Sequence, residues 1–171
     1  MLKPTNCILV DIDGTVANLD HRLSFVTDTT PKDWDTFFRL AVDDIPYENV
    51  IDTVLALKTC YVADLVFVTG RPESIRDATE QWIENIFDLS TAGFKLFMRE
   101  TNDHRPDVVV KRDILDKVKG AGFYPVIAFD DRCDICQLWV DNGITTYKHY
   151  NSHSNQYHAS KLGALRHLTP M

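Results

Sequence analysis

The sequence predicts a parallel, doubly wound α/β sheet, and three observations carry that expectation. Five short apolar runs read as buried strands: the run that ends at Val10 in "CILVDIDGTV" (7–16), then "YVADLVFV" (61–68), "FKLFM" (94–98), "PVIAF" (125–129) and "ITTY" (144–147). The segments between them have helical spacing, and strands that alternate with helices build parallel sheets covered on both faces. At 171 residues, 44% of them hydrophobic and 25% charged, the chain is expected to form one globular domain (1–171) with a substantial core.

Each element has a local justification. After the first strand, residues 18–50 break the strand–helix rhythm; they hold a short helix over "PKDWDTFFRLAV" (31–42), started by Pro31. A long connection inside a compact domain is either functional, here a small helical cap or lid, or a helix packed on the sheet edge. A helix over "ENVIDTVLALKTC" (48–60) leads into the second strand. "PESIRDATEQWIENIF" (72–87) starts with Pro and acids, as a first helical turn favours, and aligns Ile75, Ala78, Trp82 and Ile86. "DVVVKRDILDKVKGAG" (107–122) spaces Val110, Ile114 and Val118 four apart before Gly120 and Gly122 stop it. "RCDICQLWVDNG" (132–143) is the last helix before the final strand.

Charge and cysteine content narrow the function classes. The net charge of −7 argues against stable nonspecific binding to nucleic acid, which needs many Lys and Arg on phosphates, but it leaves room for a local basic pocket. Cys7, Cys60, Cys133 and Cys136 form no disulfide framework, and the Cys133–Cys136 pair lacks a second ligand pair at zinc-site spacing. No stretch is long and apolar enough for a signal or a membrane span, so the chain reads as cytoplasmic, without a membrane partner. The segment 149–171, with His149, His153 and His158, reads as a solvated loop leading into a C-terminal helix.

Ligands of an open parallel sheet bind at the carboxyl ends of its strands. The residues leaving those ends are Asp11, Asp13, Gly14 and Thr15, then Thr69, Gly70 and Arg71, then Asp130 and Asp131, with Lys111 near the start of its helix. Four carboxylates cannot crowd together ionised without a cation, so an oxygen-seeking metal such as Mg²⁺ is expected. Thr69 and Lys111 then offer a hydroxyl and a fixed positive charge to phosphate oxygens, while Asp11 suits a nucleophile and Asp13 a proton donor. Each piece alone is ordinary; all of them in this order at strand ends point to chemistry at phosphorus.

"VDIDGTV", "FVTGR", the lysine of "VVKRDIL" and "AFDDR" together resemble the four motifs of the haloacid dehalogenase (HAD) superfamily, over residues 7–147. The resemblance implies a Rossmann-like core and a Mg²⁺-dependent phosphatase that works through an aspartyl-phosphate. It implies Asp11 as nucleophile, Asp13 as general acid and later base, and Thr69 and Lys111 as holders of the phosphoryl group. It also implies a metal held by Asp11, the backbone carbonyl of Asp13, Asp130 and Asp131. An Asp at position 13, where transport ATPases carry Thr, favours phosphatase chemistry.

A narrower resemblance joins "FMRETNDHRPDVVVKRDIL" to "IAFDDRCDICQLWVDNGI", which is similar to the 3′-phosphatase domain of phage-type polynucleotide kinase. It rests on Arg99, Asp103, Arg105, Asp107, Lys111, Arg132 and Trp139, and it implies a phosphorylated nucleotide or nucleic-acid 3′ end as substrate. Gly70, Arg71, Arg99 and Arg105 are expected on the substrate side, since a guanidinium binds phosphate oxygens bidentately; Arg105 reads equally as a brace on Asp103 and Asp107. No GxxxxGK[ST] occurs, so dephosphorylation without 5′ phosphorylation is expected. A 5′(3′)-mononucleotidase is the alternative enzyme, and a silent HAD-fold binding module the remote one. Trp34, Phe37 and Phe38 would stack a base at the mouth or form the buried stripe of their helix.

Overall fold

The computed structural model describes residues 4–89 and 93–151. Its centre is a parallel sheet of five strands: β1 (Thr5–Val10), β4 (Asp64–Pro72), β5 (Phe94–Arg99), β6 (Phe123–Asp130) and β7 (Thr145–Lys148). They lie in the order β5-β4-β1-β6-β7, so β1 is central, with Val10 paired to Phe67 on one side and Phe129 on the other. Successive side chains of a strand point to opposite faces, and β1 shows both. Ile8 and Val10 join a core with α3 (Glu48–Tyr61) and α4 (Arg76–Phe87), through Val54, Trp82 and Ile83. Cys7 and Leu9 join a second core with α5 (Asp107–Gly120) and α6 (Cys133–Asp141), through Ile114, Val118, Leu138 and Trp139. This is the expected doubly wound, Rossmann-like α/β arrangement.

Several boundaries differ from the sequence reading. The second strand begins at Asp64, not at Tyr61, because α3 runs through Tyr61 and is closed by Val62 in the left-handed conformation. At its other end β4 continues to Pro72, so the helix expected from 72 starts as a short turn at Glu73–Ile75 and becomes α-helical only at Arg76. The helix expected over 31–42 is shorter: α2 (Trp34–Arg39) is started by Asp33, whose side chain accepts from the Thr36 amide at 3.0 Å, and it tightens into a turn at Leu40–Asp43. An additional helix, α1 (Asp20–Thr27), precedes it.

The insertion is pinned at its base by a two-stranded antiparallel pair, β2 (Ala17–Asn18) with β3 (Ile45–Pro46). That hairpin leaves directly from the loop after β1, which places α1 and α2 beside the carboxyl ends of the strands. The C-terminal helix expected within 149–171 falls beyond residue 151, outside the described residues.

Candidate active site

The loop after β1 is folded around one carbonyl. The amides of Thr15, Val16 and Ala17 all donate to the Ile12 oxygen, at 3.1, 3.0 and 2.9 Å. Gly14 takes φ +82° inside this turn, and a side chain there would put its Cβ 2.6 Å from Asp131 Oδ2, so glycine is required twice over. The turn presents Asp11 and Asp13 in different directions, and each meets a different set of partners.

Asp11 is buried among Lys111, Asp130 and Asp131. Lys111 Nζ donates to Asp11 Oδ1 and to Asp130 Oδ2, both at 2.7 Å, while the Thr15 hydroxyl donates to Asp11 Oδ2 at 2.8 Å. Oxygens of Asp11, Asp130 and Asp131 lie within 4.8 Å of one another. Burial pushes the Asp11 carboxyl up to about 7 even though Lys111 pulls it down, and Asp130 adds to the rise. Burial also raises Asp130, and it raises Asp131 to about 6 with Asp11 reinforcing it. Lys111 is held charged, because Asp11 and Asp130 outweigh the burial that would discharge it. Three close carboxylates, two of them paired with a single lysine, form an all-oxygen donor set short of positive charge, and that set fits a divalent cation such as Mg²⁺.

Asp13 faces the insertion and is balanced in the opposite way. Its Oδ1 accepts from Arg22 Nη2 at 2.6 Å and from Arg71 Nε and Nη2 at 3.0 and 2.7 Å. Both guanidiniums also bind Asp44 Oδ2, at 2.6 and 2.7 Å, and Arg22 Nε donates to Asp44 Oδ1 at 2.6 Å. Arg22, Arg71 and Asp44 are almost fully buried, with the Phe37 ring under Arg22, and the Trp82 indole donates to the Asp44 carbonyl at 3.0 Å. Burial pushes the Asp13 carboxyl up, but Arg71 and then Arg22 outweigh it and hold it down at about 2.

The residues expected on the substrate side are placed as follows. Arg71 is buried and spends its guanidinium on Asp13 and Asp44. Thr69 is buried, and its hydroxyl accepts from the Arg71 amide at 3.1 Å. Arg99 donates to the carbonyls of Gly70, Asp103 and Arg105 at 3.1, 2.8 and 2.8 Å and pairs with Asp107, which also pairs with Arg132. It thus ties the β4 and β5 ends to the start of α5, and a Cβ at Gly70 would sit 3.3 Å from Asp107 Oδ1. Arg105 is half exposed and pairs with Asp103 and Asp113, at 2.7 and 2.9 Å. In these positions all three arginines serve the chain's own acids.

The sequence reading did not find Arg22, Asp44, His149 or Asn151. Arg22 and Asp44 lie at opposite ends of the insertion, so no spacing links them. His149 Nδ1 and Asn151 Nδ2 both reach the Gly14 carbonyl, at 2.8 and 2.7 Å, from a polar segment with no motif. The aromatic trio divides: Phe37 is buried, while Trp34 is 47% exposed and stacks on Phe38 with ring centres 5.7 Å apart.

Residues 5–152 match the family described as polynucleotide kinase PNKP phosphatase domain, and the chain belongs to that family, within the HAD superfamily. It is 32% identical over 144 residues to a viral protein named as a bifunctional polynucleotide kinase/RNA ligase, from Autographa californica nuclear polyhedrosis virus. That alignment covers 84% of this chain and 19% of the viral protein, so the chain spans about a fifth of this relative's length. Among solved structures, a chain of the Pnkp1/Rnl/Hen1 complex superposes with a TM-score of 0.68 at 19% identity, over 89% of this chain and 48% of that one. A class C acid phosphatase from Bacillus anthracis superposes with 0.61 at 14% identity, over 88% and 68% of the two chains. These structural likenesses concern the fold. Among the described residues, no helix is long and apolar enough to cross a membrane.

Proposed function

We propose that the chain, a phosphatase by family, removes the 3′-phosphate from nucleic-acid ends with the help of Mg²⁺. The observation that carries this reading is the convergence of Asp11, Lys111, Asp130 and Asp131 at the carboxyl end of the sheet in a chain of this family. Asp11, Asp130 and Asp131, with the main-chain carbonyl of Asp13, would hold the ion, which supplies the charge neutralisation that lets an anionic phosphate approach anionic carboxylates.

The chain's own residues supply the rest. The Asp11 carboxylate attacks phosphorus and forms an acyl-phosphate as the phosphorus–oxygen bond to the 3′ leaving group breaks. Lys111, fixed on Asp11 and Asp130, and Thr69 in β4 hold the phosphoryl oxygens. Asp13 gives the leaving oxygen its proton, then takes one from the water that hydrolyses the acyl-phosphate. As placed, Asp13 is ionised and ready for the second of these steps. The first requires release from at least one guanidinium; Arg22 is carried by the insertion, so a movement of that segment would withdraw it from Asp13. Residues 18–50 then act as a small cap, with Trp34 as a stacking surface for a base at its rim.

A second reading, a mononucleotidase, is favoured by one observation: the insertion reaches Asp13 through Arg22 and so roofs one side of the site. Phosphate release with Mg²⁺ from a 3′-phosphorylated oligonucleotide, beside equal concentrations of 3′- and 5′-mononucleotides, separates the two. The oligonucleotide is expected to be the faster substrate, and faster turnover of mononucleotides would overturn end processing. Replacement of Trp34 by Ala is expected to lower kcat/KM on the oligonucleotide by the equivalent of about 1–3 kcal/mol, with a smaller loss on an aryl phosphate. Equal losses on both substrates would return Trp34 to a packing role.

A further inference from the structure

Asn151 lies 20 positions beyond Asp131 in a polar segment, yet it is 5% exposed and inserted into the site. Its Nδ2 donates to Asp131 Oδ2 at 2.9 Å and to the Gly14 carbonyl at 2.7 Å. One amide nitrogen thereby joins the two loops that carry the acidic cluster, the one after β1 and the one after β6. The approach is possible only because Gly14 has no side chain: a Cβ there would sit 2.8 Å from Asn151 Nδ2 and 2.6 Å from Asp131 Oδ2. His149 binds the same carbonyl, and its ring packs on Tyr47 at 4.5 Å, at the base of the insertion.

We propose that Asn151 is a positioning residue that sets Asp131 and the Gly14 peptide for the divalent cation; this rests on the magnesium-dependent reading above. The chemistry explains the residue type. The partner of a ligating carboxylate must donate a hydrogen bond without competing for the ion. A lysine would bring a positive charge and an aspartate a fourth negative one, whereas a neutral amide donates and adds no charge. Outer partners of metal-binding carboxylates typically contribute about 10–100-fold to metal affinity.

The test is calorimetric titration of Mg²⁺ into the wild-type protein, Asn151→Ala and Asn151→Leu, with thermal melts in chelator to compare the folds. Both variants are expected to bind Mg²⁺ about 10–100-fold more weakly. Turnover by both is expected to approach wild type at saturating Mg²⁺, because the defect lies in holding the ion. A purely structural role would lower kcat at every Mg²⁺ concentration. Asn151→Leu keeps much of the volume and removes the donor without adding charge, so it reports even where Asn151→Ala folds poorly. Binding by Asn151→Leu as tight as wild type would overturn the inference. Failure of the wild-type protein to bind Mg²⁺ would overturn the reading on which it rests.

Discussion

On one side of the loop after β1, Asp11 and Asp130 share one lysine, with Asp131 beside them, whereas Asp13 and Asp44 share two guanidiniums on the other. A single residue, Ile12, separates Asp11 and Asp13, the acids that start the two groups. Their charge balance differs, and their acidities follow: Asp11 is pushed up to about 7 and Asp13 held down at about 2. In the balanced group each carboxylate has guanidinium partners, which join the insertion to β4 and hold Asp13 ionised. The unbalanced group is left with excess negative charge, which is the condition for recruiting a cation and, through it, a phosphate. Neighbouring acids of identical type therefore take separate roles because of what the rest of the chain brings to each.

The strongest way to break the comparison is at Asp11. Asp11→Asn is expected to reduce phosphate release by at least about 10³-fold, because the proposed nucleophile is gone. Its melting temperature in chelator is expected to be no lower than wild type, since one of three competing carboxylates has been neutralised. Wild-type turnover by this variant would exclude the acyl-phosphate route. The next largest effect is at Asp44, where the balance runs the other way. Asp44→Ala leaves Arg22 and Arg71 with Asp13 as their remaining carboxylate among the described residues, and breaking a buried pair typically costs about 3–5 kcal/mol. Denaturant unfolding of this variant checks it; an unchanged midpoint would show that the joint carries no stability.

The unbalanced group was legible in the sequence and the balanced one was not, for a physical reason. Asp11, Thr69, Asp130 and Asp131 follow apolar strand runs directly, and a parallel sheet gathers strand ends without further information. Lys111 is the fifth residue of a helix whose apolar spacing is clear. The joint depends instead on Arg22, which occupies an inward position of α1 with Val26. A charged residue on the buried face removes the apolar stripe by which a helix is recognised, so α1 went unread together with its function. The sequence puts Arg71 on the substrate side, at the end of an apolar run, and nothing in it places Asp44 beside that guanidinium. Asn151 carries no signal at all until the Gly14 turn is folded. Buried polar partners distant in sequence are fixed by tertiary packing, and periodicity does not record them.

The smallest expected effect sharpens the comparison through pH. In the unfolded chain these aspartates ionise near 4. Asp11 and Asp131 ionise in the folded protein only near 7 and 6, so between about pH 4 and 7 the folded state binds more protons than the unfolded one. Stability from this group therefore falls as pH rises through that window. Asp13 has the opposite sign: its folded value of about 2 gives a contribution that is complete above about pH 4 and is lost as pH falls toward 2. In chelator, the melting temperature is thus expected to drop by at least about 5 °C from about pH 4.5 to about pH 7.5. Excess Mg²⁺ is expected to restore most of that loss at the upper pH and little at the lower, because an ion that binds only the folded carboxylates stabilises by mass action. Equal melting temperatures at the two pH values in chelator, with no response to Mg²⁺, would show that the three carboxylates are not short of positive charge.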